Sequence, residues 1–305
     1  MLKQLRAILA FASAAELLWL ATYGLGPLRE STGLFLTLLA GQVALWAWSF
    51  FRLRITPGPT LTAMLACGLL FRLTLLPAQP HQSEDVYRYI WDARVASAGI
   101  SPYRLPPEAP ELEHLRDSTV YPMLNSKSYV TAYPPLSQLL FRVARALFGE
   151  SITGMKAIFC AFEFGALLLA WRLLVLWRRP LQGLLLWAWN PLFVFEFSHS
   201  GHSDSAMVFF AVLSIYLLEL GRNSASVASW ALAALSKLHP ALWLPVLLRR
   251  TGIRAALPGG VVALALLAAY HRPDSLASYL RSLGLYYRLF EFNAGIHYAL
   301  RWQRC

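Results

Sequence analysis

Long apolar runs punctuated by arginines restrict this chain more than any motif does. A membrane-spanning helix needs ~20 mostly apolar residues, and residues 5–24, 33–51, 61–76, 155–177, 181–197, 205–220 and 259–270 read as such segments, the shorter ones included. Charged residues make up 14% of the chain and hydrophobic ones 57%, whereas a soluble domain is about 25% charged. So little charge does not clothe a water-facing surface, and the expectation is an integral membrane protein. The formal charge of +11 would suggest nucleic acid in a soluble chain; between apolar spans it points instead to basic cytoplasmic loops. The start MLKQLR and the apolar run behind it imitate a signal peptide, but the run outlasts a usual signal core and reads as a retained first span. Cys67, Cys160 and Cys305 form neither a disulfide framework nor a metal-binding spacing.

Basic residues near span ends then orient the chain. Lys3 and Arg6, Arg52 and Arg54, Arg178 and Arg179, Arg222, and the group Arg249, Arg250 and Arg254 are assigned to the cytoplasm. The polar region 77–152 is thereby extracytoplasmic. A single crossing between Arg222 and Arg249 would strand three arginines outside. Two half-helices, 227–236 and 241–248, avoid this by meeting at Lys237-Leu238-His239-Pro240. Proline breaks the helix there, and irregular backbone at depth is tolerated where it lines a protein cavity. One tilted, proline-kinked helix is the alternative.

The outer region concentrates the polar chemistry. Ser83 is a good N-cap for a helix over 84–98 that Gly99 stops. Positions 86, 87, 90, 91 and 95 give this helix an apolar side, with Glu84, Asp85, Arg88 and Asp92 opposite, so it is expected to lie along the membrane surface. A second amphipathic helix, 136–148, follows Tyr133-Pro134-Pro135 and carries Arg142 and Arg145. Glu84 and Asp85 in a first turn favour the helix dipole, and an Arg88 ladder with Glu84 and Asp92 would be a plain solvated face. Yet Tyr87, Tyr89, Trp91 and Tyr103 crowd these acids, and aromatic rings suit the apolar face of a sugar. Asp85 is the candidate general base, with Glu84 as helper.

Two further constellations face the same side. Glu196-Phe197-Ser198-His199-Ser200-Gly201-His202-Ser203-Asp204 lies between apolar segments. His199, His202 and Asp204 there could contact a polar substrate, although Asp204 could equally cap a helix. His199-x-x-His202 lies on a loop without a firm third ligand, so no metal is expected. Lys237 and His239 sit at the half-helix junction, where an embedded lysine tends to face a cavity and a partner; a phosphate contact is the functional reading and snorkelling the bland one. Arg72 and Lys156, also embedded, are secondary phosphate candidates.

Taken in order, these segments resemble a known family. Glu84-Asp85-Val86-Tyr87-Arg88-Tyr89-Ile90-Trp91-Asp92, Gly99-Ile100-Ser101-Pro102-Tyr103, Tyr133-Pro134-Pro135, Asn190-Pro191-Leu192, Ser200 to Asp204 and Lys237 to Pro240 are similar to polyprenol-phosphate-dependent glycosyltransferases of the GT-C superfamily, more narrowly the bacterial mannosyltransferase-like group (glycosyltransferase family 87 and relatives). The pair here is Glu-Asp where Asp-Asp is commoner, and Asp92-Ala93 stands for Asp-Gly. Phe290 to Gly295, with Asn293 as a further substrate contact, resembles a segment that further spans follow, so the expectation is either a C-terminally truncated chain or a member that runs on a minimal module.

The resulting expectation is an all-α polytopic membrane protein with about seven transmembrane helices, a re-entrant pair and two surface helices in the outer loop. Its parts are 1–76, 77–152 and 153–305. The resemblance implies an inverting hexosyltransferase of the plasma (inner) membrane and cell envelope. It would pass a mannose-like sugar from a polyprenyl-phosphate donor to a glycan or lipid acceptor on the extracytoplasmic side, with no cofactor. A flippase or transporter of lipid-linked sugars and a non-catalytic truncated membrane protein are the alternatives.

Overall fold

The structure is a computed structural model that describes residues 2–26, 30–270, 273–289 and 298. Thirteen α-helices and several 3-10 turns make up the described chain, with no strand among them. Helices α1 (Leu2–Tyr23), α2 (Thr32–Arg52) and α3 (Pro59–Leu75) form an N-terminal bundle; α4 (Asp85–Ser97) and α5 (Pro135–Phe148) lie in the polar region; α6 (Ile152–Leu176) leads back. The short α7 (Leu185–Ala188) and α8 (Pro191–Val194) follow, then α9 (Asp204–Glu219), α10 (Asn223–Ser236), α11 (Leu244–Thr251), α12 (Ala256–Tyr270) and α13 (Pro273–Leu289). Helices α1, α2, α6 and the stretch Ile253–Tyr270 are long and apolar enough to cross a membrane, and α3 is a shorter apolar helix. The protein is an all-α, polytopic membrane protein.

Composition overstates the number of spans, since neither 181–197 nor 205–220 is among the helices long and apolar enough to cross. Residues 181–197 are apolar but not one helix: a 3-10 turn Leu181–Leu184, α7, α8 and a π-turn Phe195–Ser200 succeed one another. Pro191 supplies no N–H, and the Asn190 side chain accepts from Leu192 N at 3.0 Å to restart the chain as α8. The strict i→i−4 ladder then loosens into the π-turn, a form that tends to mark functional positions.

The molecule has two ends. At one, Gln4 accepts from Arg54 N at 3.2 Å and Gln182 accepts from Ile55 N at 3.1 Å. These bonds gather the start of α1, the end of α2 and the turn after α6, and with them Lys3, Arg6, Arg52, Arg54, Arg178 and Arg179. One apolar cluster, from Ile8 and Trp19 through Phe71 to Trp189 and Phe195, fills the bundle above this end. The other end holds a second cluster built on α4, where Ile90 and Trp91 meet Leu112, Leu124, Phe141 and Phe159.

That second cluster corrects the expected membrane-surface helix. Helix α4 starts and stops within a residue of expectation, with Gly99 beyond its end at φ +79°. But it is buried on every side from Val86 to Val95. The loop 105–131 covers the polar face, and Arg88 and Arg94 are spent on holding it there. Arg88 donates to Asp92 at 2.9 Å and to Tyr129 O at 3.0 Å. Arg94 reaches Asp117 at 2.8 Å and Glu150 at 2.6 Å, and this pairing, against the opposing pull of burial, raises the guanidinium's pKa and helps hold Asp117 well below the carboxylate range.

Candidate active site

Asp85 opens α4, where its carboxylate meets the positive end of the helix dipole. It is half-buried. Asn125, from the covering loop, donates to Asp85 Oδ1 at 3.2 Å, and Ser83 Oγ accepts from Asp85 N at 3.3 Å. One turn along, Tyr89 is buried, stacked on Phe141 with ring centroids 4.4 Å apart. Its hydroxyl receives Ser203 N–H at 3.4 Å, which fastens α4 to the turn after the π segment. Burial, then the charges of Asp85 and Asp204, push this phenol well above its ordinary pKa. The two aspartates therefore share one neighbourhood.

The turn itself is shaped by Gly201. Its φ is +73°, and a Cβ would stand 2.5 Å from Lys156 Cγ, so glycine is required twice over. The turn aims His202 back at Glu196, Nδ1 to Oε2 at 2.5 Å. Burial pulls His202 down, but the Glu196 hydrogen bond and charge, with Asp85 and Asp204, outweigh it and raise the imidazole's pKa. Asp204 begins α9; its side chain caps nothing and instead accepts from Lys237 Nζ at 2.7 Å.

Lys237 follows the end of α10 in extended conformation, at the break expected from Pro240. The Trp230 indole donates to Pro240 O at 2.8 Å, and Ser137 Oγ donates to Ser236 O at 2.8 Å. The second bond brings the junction against the first turn of α5, beside Tyr133. Side chains of Lys237 and Asp204 are 42% and 35% exposed, so this pair is open where most of its surroundings are packed.

Asp85, His202, Asp204 and Lys237 thus converge. Tyr133 is half-buried nearby, its ring 5.0 Å from Tyr89, and its carbonyl accepts from Tyr103 Oη at 2.6 Å. Glu84 is half-buried at the α4 N-cap, and its charge together with burial raises the Tyr87 phenol. Other expected positions fall elsewhere. Tyr87, Tyr89, Trp91 and Tyr103 are buried in packing, so these rings offer a sugar no open face. Asp92 is held by Arg88 and by Gln138 Nε2 at 2.9 Å, and is fully interior.

His199 turns away from His202 and stacks on Phe195 at 4.3 Å. Burial, then the Lys156 and His81 charges, lower its pKa to about 3. His239 is exposed on a 3-10 turn. Asn293 lies outside the described residues. Arg72 is consumed within the bundle by Glu163, at 2.5 and 2.6 Å, and by two carbonyls, which corrects its reading as a phosphate contact. Lys156 is fully buried and donates to Ala78 O at 2.7 Å. Among the described residues no group of three or more His, Cys, Asp or Glu side chains is placed to hold a metal ion.

Two participants went unassigned in the sequence, Glu196 and Asn125. An acid six residues before His202 was a usable signal only if the π-turn were foreseen; Asn125 offered none. Against known proteins, neither a curated protein nor a solved structure gives a match. A family model described as Alpha-(1->6)-mannopyranosyltransferase, N-terminal domain, matches residues 7–251 and so takes in the whole of this cluster. On that span, the chain belongs to the MptA_B family of alpha-(1->6)-mannopyranosyltransferases, which are glycosyltransferases.

Proposed function

We propose that the chain is an inverting GT-C-type enzyme that moves a mannosyl residue from a polyprenyl-phosphate donor to a glycan or lipid acceptor on the extracytoplasmic face. The observation that carries this reading is the half-open cluster of Asp85, His202, Asp204 and Lys237 at the end of the molecule away from its gathered basic turns. Asp85 removes the acceptor hydroxyl proton, and that oxygen attacks the anomeric carbon as the bond to the phosphate oxygen breaks. Polyprenyl phosphate leaves with the electron pair. One displacement inverts the centre, so an α-linked product requires a β-linked donor.

Lys237 holds the donor phosphate with the ammonium hydrogens that Asp204 leaves free. Glu196 fixes His202 so that its other ring nitrogen is available to a sugar hydroxyl. Tyr133 is the aromatic surface left partly open to a sugar ring. Glu84, Tyr87 and the more deeply packed Arg88, Tyr89, Trp91, Asp92 and Tyr103 support the loop around them. The test supplies membranes containing the full chain with radiolabelled β-polyprenyl-phosphate mannose and, separately, with a labelled sugar nucleotide. A new α-mannoside from the lipid donor alone is the expected result. Transfer from the nucleotide alone would overturn the donor assignment, and movement of the lipid-linked sugar without a new glycosidic bond would overturn the enzymatic reading.

A further inference from the structure

A second polar crevice, of about 520 Å³, has none of Asp85, His202, Asp204 and Lys237 in its lining. The turn Gly99 to Arg104 forms one wall, Arg142 of α5 another, and Tyr270 at the end of α12 with Ser275 of α13 closes it. Ser101 Oγ donates to Tyr270 O at 3.2 Å, which fixes the outer turn to the end of α12. Arg104 and Arg142 are both exposed, and no acid among the described residues pairs with either. The next arginine of α5 behaves differently, since Arg145 is taken up by Glu150 at 3.2 Å.

The surroundings of the crevice are greasy. On α5, Leu139, Val143 and Leu147 are exposed on the same stripe as Arg142, at the i, i+3, i+4 and i+8 spacing of one helix face. Along α12, Val261, Leu264 and Leu267 are exposed on a helix long enough, with its leading turn, to span a bilayer. A basic crevice rimmed by outward apolar side chains, where a spanning helix ends, matches the headgroup level of a membrane.

We propose that this crevice binds the phosphodiester headgroup of an anionic phospholipid, with Arg104 and Arg142 as the phosphate ligands and the α5 stripe against the acyl chains. Guanidinium groups suit phosphate because two N–H donors meet two oxygens at once. The site lies apart from Asp85 and Lys237, so it does not depend on the transfer reaction.

The test titrates the purified full chain in detergent with phosphatidylglycerol, phosphatidylcholine and inorganic phosphate, reading bound lipid by native mass spectrometry. The double variant Arg104→Gln/Arg142→Gln is expected to bind phosphatidylglycerol roughly thirty-fold more weakly, with phosphatidylcholine binding unchanged and an equal melting temperature. A control, Arg249→Gln/Arg250→Gln, should leave phosphatidylglycerol binding at the wild-type level. Equal affinity in wild type and the double variant overturns the proposal, as does equal loss in the control. Displacement of phosphatidylglycerol by millimolar inorganic phosphate would mark a soluble-anion site and overturn the lipid assignment.

Discussion

Two acid–base pairs, one in the bundle and one at the opposite end, use the same chemistry to different ends. Arg72 and Glu163 meet in a two-pronged pair with no solvent exposure, and the remaining guanidinium donor goes to the carbonyls of Gly68 and Ala188. Every strong donor there is spoken for. Lys237 and Asp204 share a single bond and are roughly two-fifths and one-third exposed. The sealed pair locks α3 to α6 and to the α7 turn; the open pair leaves hydrogen-bonding capacity for something that arrives. The histidines repeat the contrast, His199 buried and kept neutral, His202 half-open and kept basic by Glu196.

Breaking the sealed pair should cost the most. Glu163→Gln leaves a buried guanidinium uncompensated and is expected to destabilise the protein by ~3–5 kcal/mol, read as loss of thermal stability in detergent. Lys237→Ala should behave in the opposite way. Stability changes by less than ~1 kcal/mol because the pair is exposed, while donor affinity falls by ~1.5–3 kcal/mol, the usual worth of a hydrogen bond to a charged group. A variant with normal donor binding but poor stability would place Lys237 with Arg72.

The smallest effect sharpens the histidine contrast. His202 has a raised pKa when folded, so its contribution to stability is fully present below its ordinary value of 6.5 and fades as pH rises through the folded value. His199 does the reverse. With a folded value of about 3 it stabilises above 6.5 and loses that contribution as pH falls from there. Melting temperatures of wild type and Glu196→Gln across pH 5 to 9 separate the two. The penalty of the substitution should be largest at the acid end and shrink as pH rises, whereas a pH-independent penalty would mean that Glu196 does not tune His202.

Much of this contrast was legible in the chain and some was not, for definable reasons. Apolar run length gave the membrane helices, and Gly99 and Pro240 gave the end of α4 and the break after α10, because those signals are local; Ser83 falls one residue short of the cap, which is Glu84. The polar face of α4 read as solvated since nothing near it in sequence shows that loop 105–131 folds back to cover it; the Arg94–Asp117 and Arg88–Tyr129 bonds that hold the loop span 23 and 41 residues. Residues 181–197 looked like a span because hydropathy sums composition and is blind to the hydrogen-bond ladder that Pro191 interrupts. Arg72 looked like a phosphate ligand while its partner stood unused in plain sight. Glu163, a lone acid in an apolar helix, requires a cation of its own.

In the proposed reaction Asp85 works on substrate, while Asp92, two turns along the same helix, works on the fold. Single-turnover transfer by Asp85→Asn, normalised to folded protein and compared with Asp92→Asn, tests this division most directly. The expected result is a loss of ~10²–10⁴-fold for Asp85→Asn with stability near wild type, against lowered stability but substantial transfer per folded molecule for Asp92→Asn. Wild-type turnover in the Asp85 variant would contradict the account.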